Sequence, residues 1–151
     1  MAPKLKGSFD RPVDIKGRTV LAEVLRAALL GISAQWVISR SLDGLCLLLC
    51  PDSVWDARIS DRLEQLSTSS PNHQALKRIM HADAFDVTSS AAGRLLIPAK
   101  LLQAAGIGRR CTQNGVGQVV EIWDSQRWSE YQRKSEERRD RLTEGIDQFG
   151  L

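Results

Sequence analysis

Apolar and polar positions along this chain alternate between two periods, and they do so twice in the same order. Near the start, Ser8 to Val13 reads as extended edge structure, because Pro12 has no amide to give to a ladder and is tolerated only at an edge or in a turn. Asp14-Ile15-Lys16-Gly17 predicts a β-turn, with a carboxylate able to accept backbone N–H groups and a glycine able to take positive φ. Thr19-Val20-Leu21 predicts a short strand. Leu21, Val24, Leu25, Ala28 and Leu29 then recur at helical spacing as far as a stop at Gly31. Gln35 to Arg40 and Leu45 to Cys50 are β-rich runs joined by Ser41-Leu42-Asp43-Gly44, whose Asp-Gly step predicts a hairpin. Asp52 or Ser53 is placed to cap a helix in which Trp55, Ile59, Leu63 and Leu66 form an apolar stripe, with Arg58, Asp61, Arg62 and Glu64 turned to solvent.

The second half rebuilds this unit. Ser67 to Ser70 is a polar linker, and Ser70-Pro71 signals a helix start, with a capping hydroxyl followed by proline at the first helical position. Ala75, Leu76, Ile79 and Met80 are expected to face inward along that helix. Phe85 to Thr88 is strand-like, Ser89 to Gly93 is a small-residue turn, and Leu95 to Ile97 is a strand. Pro98 then opens a helix carrying Leu101, Leu102 and Ala105, which Gly106 ends. Gly117 to Trp123 is expected to partner Leu45 to Cys50. Gly17-Arg18 and Gly93-Arg94 stand 76 residues apart, whereas Trp55 and Trp128 stand 73 apart, so one loop is shorter in the second copy. The repeat divides the chain into residues 1–66, residues 67–131 and a tail, 132–151. From Gln132 to Arg141 the tail has no large apolar residue and is expected to be a solvated helix or frayed.

Composition adds less than the pattern does. A chain of 151 residues can bury a substantial core, but 21 Lys and Arg against 18 Asp and Glu give a net charge of only +3, too mild to mark a polyanion binder. The local distribution says more, since Met1 to Arg26 carries six basic residues against three acidic ones. An arginine at the same exposed turn of both copies suits a polyanion better than a catalytic pocket. No apolar run reaches the roughly 18 residues of a membrane-spanning helix and no signal-type segment opens the chain, so a cytoplasmic location is expected.

The chemistry-bearing residues form no recognisable reaction centre. There is no persuasive acid/base pair and no Ser-His-Asp, Cys-His, phosphate-loop or zinc-protease pattern, so no enzyme, cofactor or small-molecule substrate is expected. Cys46, Cys50 and Cys111 are odd in number and sit in apolar contexts, which reads as reduced, buried thiols. Cys46 and Cys50 would share a strand face, but His73 and His81 are poorly placed to complete a metal site. His73 is expected to be exposed and His81 half-buried. Trp36, Trp55, Trp123 and Trp128 could stack on single-stranded bases, yet most lie on the apolar side of their pattern, which favours packing.

Asp14-Ile15-Lys16-Gly17-Arg18, Gly93-Arg94-Leu95-Leu96-Ile97-Pro98 and Val120-Glu121-Ile122-Trp123-Asp124 closely resemble the MraZ family of bacterial transcriptional regulators, in order and across nearly the whole chain. The resemblance implies an α+β fold of two tandem AbrB-like, swapped-hairpin β-barrel half-domains with flanking helices. It also implies a homo-oligomeric ring, and binding of double-stranded DNA at repeated boxes upstream of the cell-division and cell-wall gene cluster, in the nucleoid. The DNA-contacting positions it implies are Lys16, Arg18 and Arg94, supported by the turn-forming Asp14, Gly17, Ser90, Gly93 and Pro98. Arginine offers a planar fork for phosphate or a guanine edge, and lysine a compact charge for phosphate. Two positions depart from the family pattern, with Ser90 where a second aspartate belongs and Ala22 where a first proline belongs. Cys111-Thr112-Gln113-Asn114 is also more polar than the family strand.

The resulting expectation is a repressor that needs no cofactor. The alternative is an antitoxin-like or interaction scaffold with weakened DNA recognition, engaging partners through the Gln132 to Arg141 tail. Arginines gathered on one surface favour the first reading, and scattered or carboxylate-paired arginines favour the second.

Overall fold

The computed structural model describes residues 3–151; Met1 and Ala2, the start of the basic stretch, lie outside them. The first half runs β1 (Ser8–Pro12), β2 (Arg18–Val20), α1 (Glu23–Leu30), β3 (Trp36–Arg40) and β4 (Leu47–Pro51), then α2 (Asp52–Trp55), a π-helical stretch (Asp56–Ser60) and α3 (Asp61–Leu63). The second runs α4 (Pro71–Ala82), β5 (Phe85–Val87), β6 (Arg94–Leu96), α5 (Ala99–Ala104), β7 (Arg110–Val116), β8 (Val119–Asp124) and α6 (Ser125–Glu136), followed by α7 (Arg139–Leu142) and a 3₁₀ turn (Ile146–Phe149).

These elements make an α+β protein with two antiparallel sheets. Six strands lie in the order β1-β7-β8-β4-β3-β5, while β2 and β6 pair with each other as a separate ribbon. The large sheet is open, with β1 and β5 at its edges, so the expected closed barrels are not formed. The reason is local: β2 turns away from β1 at Gly17, keeping only the single Val13–Thr19 bridge, and three-residue strands are too short to join the edges.

Pairing is reciprocal between the halves. The first strand of each half adds to the third strand of the other, with Phe9 opposite Gln113 on one side and Phe85 opposite Ile38 on the other. The inner hairpins meet along β4 and β8 as the pattern predicted, Leu47 facing Ile122 and Leu49 facing Val120. The main core draws Leu21, Leu25 and Leu29 from one half and Leu95, Ile97 and Leu101 from the other, all essentially inaccessible. At about 25 cal/mol per Å² of apolar area, this shared burial is what fastens the ribbon and its two following helices to the sheet. A second cluster joins Trp55, Ile59 and Leu63 to Met80 of α4, confirming the stripe, with the π-helical stretch inserted between α2 and α3.

Several local expectations are corrected. Pro51, not Asp52 or Ser53, stands at the cap before α2, because the Asp52 amide donates to Gln35 O and the Asp52 carboxylate accepts the amide of the adjacent Ser53. On α4, Met80 is buried and Leu76 half-buried, but Ala75 and Ile79 face outward because the helix touches the body along a narrow line. His81 is exposed rather than half-buried, with its ring edge-on to Trp55 at 5.5 Å. Cys46 precedes β4, so it does not share a strand face with Cys50. All three thiols are buried and in no disulfide among the described residues, Cys111 sharing a hydrogen bond with the Thr19 hydroxyl, and burial pushes Cys46 and Cys50 up to about 12. Gly31 ends α1 without entering the left-handed region, whereas Gly106 does enter it after α5. The tail is helical through Glu136 and exposed, and among the described residues no helix is long and apolar enough to cross a membrane.

Candidate nucleic-acid interface

The ribbon is held by two turns with the same main-chain wiring. In the first, the Asp14 amide donates to Arg18 O and the Gly17 amide to Asp14 O; in the second, Ser90 donates to Arg94 O and Gly93 to Ser90 O, all within 2.9–3.0 Å. Gly17 and Gly93 take φ of 85° and 80°, where a side chain would be strained, which is why glycine precedes arginine both times. The turns then clasp each other: Leu21 N donates to Gly93 O and Ile97 N to Gly17 O, each at 2.9 Å.

β2 and β6 pair with Arg18 opposite Leu96, Thr19 opposite Leu95 and Val20 opposite Arg94. Strand alternation sends Thr19 and Leu95 into the core, at 3% and 0% exposure, and Arg18, Val20, Arg94 and Leu96 outward. Thr19 thus sits opposite its own repeat mate, Leu95, while Arg18 and Val20 sit opposite each other's mates, Leu96 and Arg94, so an approximate two-fold axis passes through the Thr19–Leu95 pair. The two arginines occupy one diagonal of the outer face. Both line the same two shallow hollows, one over Val13 and Thr19 and the other over Ser90 and Ala91.

The two guanidinium groups are held differently. Asp14 Oδ1 accepts the Lys16 and Arg18 amides, and its Oδ2 accepts Arg18 Nε at 2.8 Å. These bonds, the Arg18 amide first, hold the Asp14 carboxyl below its ordinary range. The terminal nitrogens of Arg18 make no hydrogen bond among the described residues. Ser90 Oγ accepts only the Arg94 amide, at 3.0 Å, and the Arg94 side chain has no acidic partner among the described residues. Lys16 stands exposed at the tip of its turn beside the fully exposed Ile15, and it lines neither hollow. The structure therefore brings Arg18 and Arg94 onto one face and sets Lys16 at its margin.

Pro98 and Ala22 take matching positions, with φ, ψ of −53°, 134° and −54°, 131° at the heads of α5 and α1. Ala22 retains an amide that proline lacks, and that amide donates to Gln113 Oε1 at 2.9 Å, while Gln113 Nε2 donates to Val20 O. The polar β7 residues are buried and bonded, Thr112 to Ser125 and Asn114 Oδ1 to Ser8, while Asn114 Nδ2 has no partner among the described residues. Ala22 and the polar β7 residue Gln113 thus meet in one buried contact. Neither that contact nor the outward placement of Val20 and Leu96 is among the expectations the sequence raises. Two-residue alternation counted from an exposed arginine is the signal that marks the latter.

No group of three metal-ligating side chains gathers among the described residues. Trp36, Trp55 and Trp123 are buried, and Trp128 packs on Trp123 and Tyr131 at 5.2 and 6.0 Å between ring centres.

Residues 80–149 match the family described as "MraZ protein, putative antitoxin-like". A protein of Pediococcus pentosaceus named "Transcriptional regulator MraZ" is 36% identical over 145 residues, spanning 96% of this chain and 98% of that protein. Proteins with the same name from Symbiobacterium thermophilum and Nitrosospira multiformis are 34% and 30% identical, each spanning at least 96% of this chain and 99% of its own length.

Proposed function

The chain belongs to the MraZ family of transcriptional regulators, and we propose that it acts by sequence-specific binding of double-stranded DNA through Arg18, Arg94 and Lys16. The observation that supports this reading is the pair of arginines on one outward ribbon face, related by an approximate two-fold axis like that of a duplex. A two-stranded ribbon fits the major groove, where arginine can address a guanine edge while lysine meets phosphate. Asp14, Gly17, Ser90 and Gly93 fix the turns that present them, whereas Pro98, expected among the turn-forming residues, stands beyond the ribbon strand at the head of α5.

In the same reading, the reciprocal pairing is that of two AbrB-like swapped-hairpin half-domains, residues 1–66 and 67–131, carrying 132–151 as a charged appendage. One such ribbon makes few phosphate contacts, so useful affinity requires several copies on spaced boxes, and a ring of subunits supplies them through high effective concentration. The targets are repeated boxes ahead of the cell-division and cell-wall gene cluster, and the action is repression in the nucleoid, without a cofactor.

One observation favours the interaction-scaffold alternative, namely the Arg18–Asp14 ion pair. Both partners are about 40% exposed, however, and such pairs are weak. Arg18 uses only Nε in it, leaving both terminal nitrogens to offer to a phosphate or a base. Gel shifts on DNA upstream of the chain's own gene, at two salt concentrations, test the reading. Arg18→Ala and Arg94→Ala should each weaken binding roughly tenfold or more, with a shallower salt slope and unchanged oligomer mass. Unchanged binding by both variants would refute DNA recognition at this face.

A further inference from the structure

Resting on the DNA-binding reading, we propose that Val20 and Leu96 are specificity-determining residues that read thymine methyl groups in the major groove. They occupy the diagonal opposite to the arginines on the ribbon's outer face, and they are 45% and 58% exposed where a short strand gains nothing by showing aliphatic groups to water. Each lies directly across the ribbon from an arginine, Val20 from Arg94 and Leu96 from Arg18. Directly opposed Cβ atoms in an antiparallel pair are about 5 Å apart, and alternate residues along a strand about 7 Å. A patch of that size alternates cation, aliphatic, cation, aliphatic around its rim.

The major groove offers a matching alternation. Guanine shows two acceptors suited to an arginine fork, and thymine shows the only methyl group on its floor, suited to an aliphatic contact. The approximate two-fold axis through Thr19 and Leu95 places Val20 and Leu96 symmetrically, so each would meet a different DNA strand. The flanking charge decides between occupants of this face. An aliphatic pair between two guanidinium groups, one of them without an acidic partner, complements a polyanion with apolar marks on its floor rather than the same cationic face of a second copy.

The test compares the DNA upstream of the chain's own gene, synthesised with thymine or with uracil, which lacks only the 5-methyl group. The unaltered protein should bind uracil DNA about five- to tenfold more weakly, the effect of losing a few buried methyl contacts. Val20→Ser/Leu96→Ser should bind both duplexes equally, at the weaker level, with the salt slope of the unaltered protein because its phosphate contacts remain. Equal binding of both duplexes by the unaltered protein overturns the inference while leaving DNA binding intact. Binding of neither overturns both. An equal loss on uracil DNA by protein and variant assigns the effect to duplex shape, and a changed oligomer mass with methyl dependence retained assigns the face to subunit contact; either result overturns the inference.

Discussion

In the first turn Asp14 accepts two amides and grips the Arg18 side chain, whereas in the second Ser90 accepts one amide and leaves Arg94 without an acidic partner. The tips differ as well, Ile15-Lys16 against Ala91-Ala92. Yet the main-chain bonds are the same, the glycines share one conformation, and both arginines reach the same face. The difference teaches that turn geometry here is set by backbone wiring and glycine. The residue at the head of the turn instead tunes how firmly the arginine is held. Serine rather than aspartate at the head of the second turn therefore changes the poise of Arg94 without displacing it.

The sharpest way to break this comparison is at the glycines. A Cβ on Gly17 would stand 2.8 Å from the carbonyl oxygen of Ile97, the residue whose amide clasps the first turn, while a Cβ on Gly93 would meet nothing closer than the flexible Arg26 side chain at 3.5 Å. Both substitutions impose a left-handed alanine, which costs about 1–2 kcal/mol. Gly17→Ala must also shift backbone, so its loss should reach about 3 kcal/mol against about 1–2 for Gly93→Ala. Urea unfolding of the two variants measures this, and equal losses would show that the turns are interchangeable after all.

A second test exploits the residue that follows each ribbon strand. Ala22 and Pro98 share a conformation, and the ladder positions Gln113 and Ile38 correspond, each opposite a phenylalanine of the exchanged edge strand. One copy thus uses an alanine amide with a glutamine, and the other a proline with an isoleucine. Ala22→Pro should destabilise by about 1–2 kcal/mol, because the orphaned Gln113 oxygen outweighs the entropy gained from proline. Gln113→Ile alone leaves the Ala22 amide unpaired and should cost a similar amount. Together the two changes rebuild the second copy's arrangement in the first and should recover most of the loss. Additive losses in thermal unfolding would show that the positions do not act as a pair.

These contrasts explain what the sequence disclosed and what it withheld. Turns, the Asp43-Gly44 hairpin, the edge placement of Pro12 and the helix start at Ser70-Pro71 were legible because each depends on a few adjacent residues. The two arginines were legible because the Gly-Arg step recurs. The open sheet was not, since exchange of β1 and β5 depends on partners far apart in sequence, and no local period reports which strand will lie next. Nor was the Ala22–Gln113 bond, between residues 91 positions apart, each of which looks like an unexplained departure when taken alone. The outward face of α4 was misjudged because its apolar residues exceed the surface it meets.

The smallest expected effect concerns the grip on Arg18, and it sharpens the comparison by making the first turn resemble the second. Asp14→Ser removes an acceptor for two amides and a partner for one guanidinium, all at the surface, so stability should fall only slightly at neutral pH. The sign with pH follows from the depressed Asp14 carboxyl. Its stabilising contribution is fully present above its ordinary value of 3.8 and is lost as pH falls through the lower folded value, so variant and unaltered protein should converge in melting temperature only in that acid range. On DNA the direction reverses. Removing the carboxylate beside the phosphates frees Arg18 to the state of Arg94 and should raise non-specific affinity about twofold at low salt, a gain that vanishes at high salt. A variant whose stability gap persisted far below pH 3.8 would place the role of Asp14 in its shape rather than its charge, and the two turns would then differ in form as well as grip.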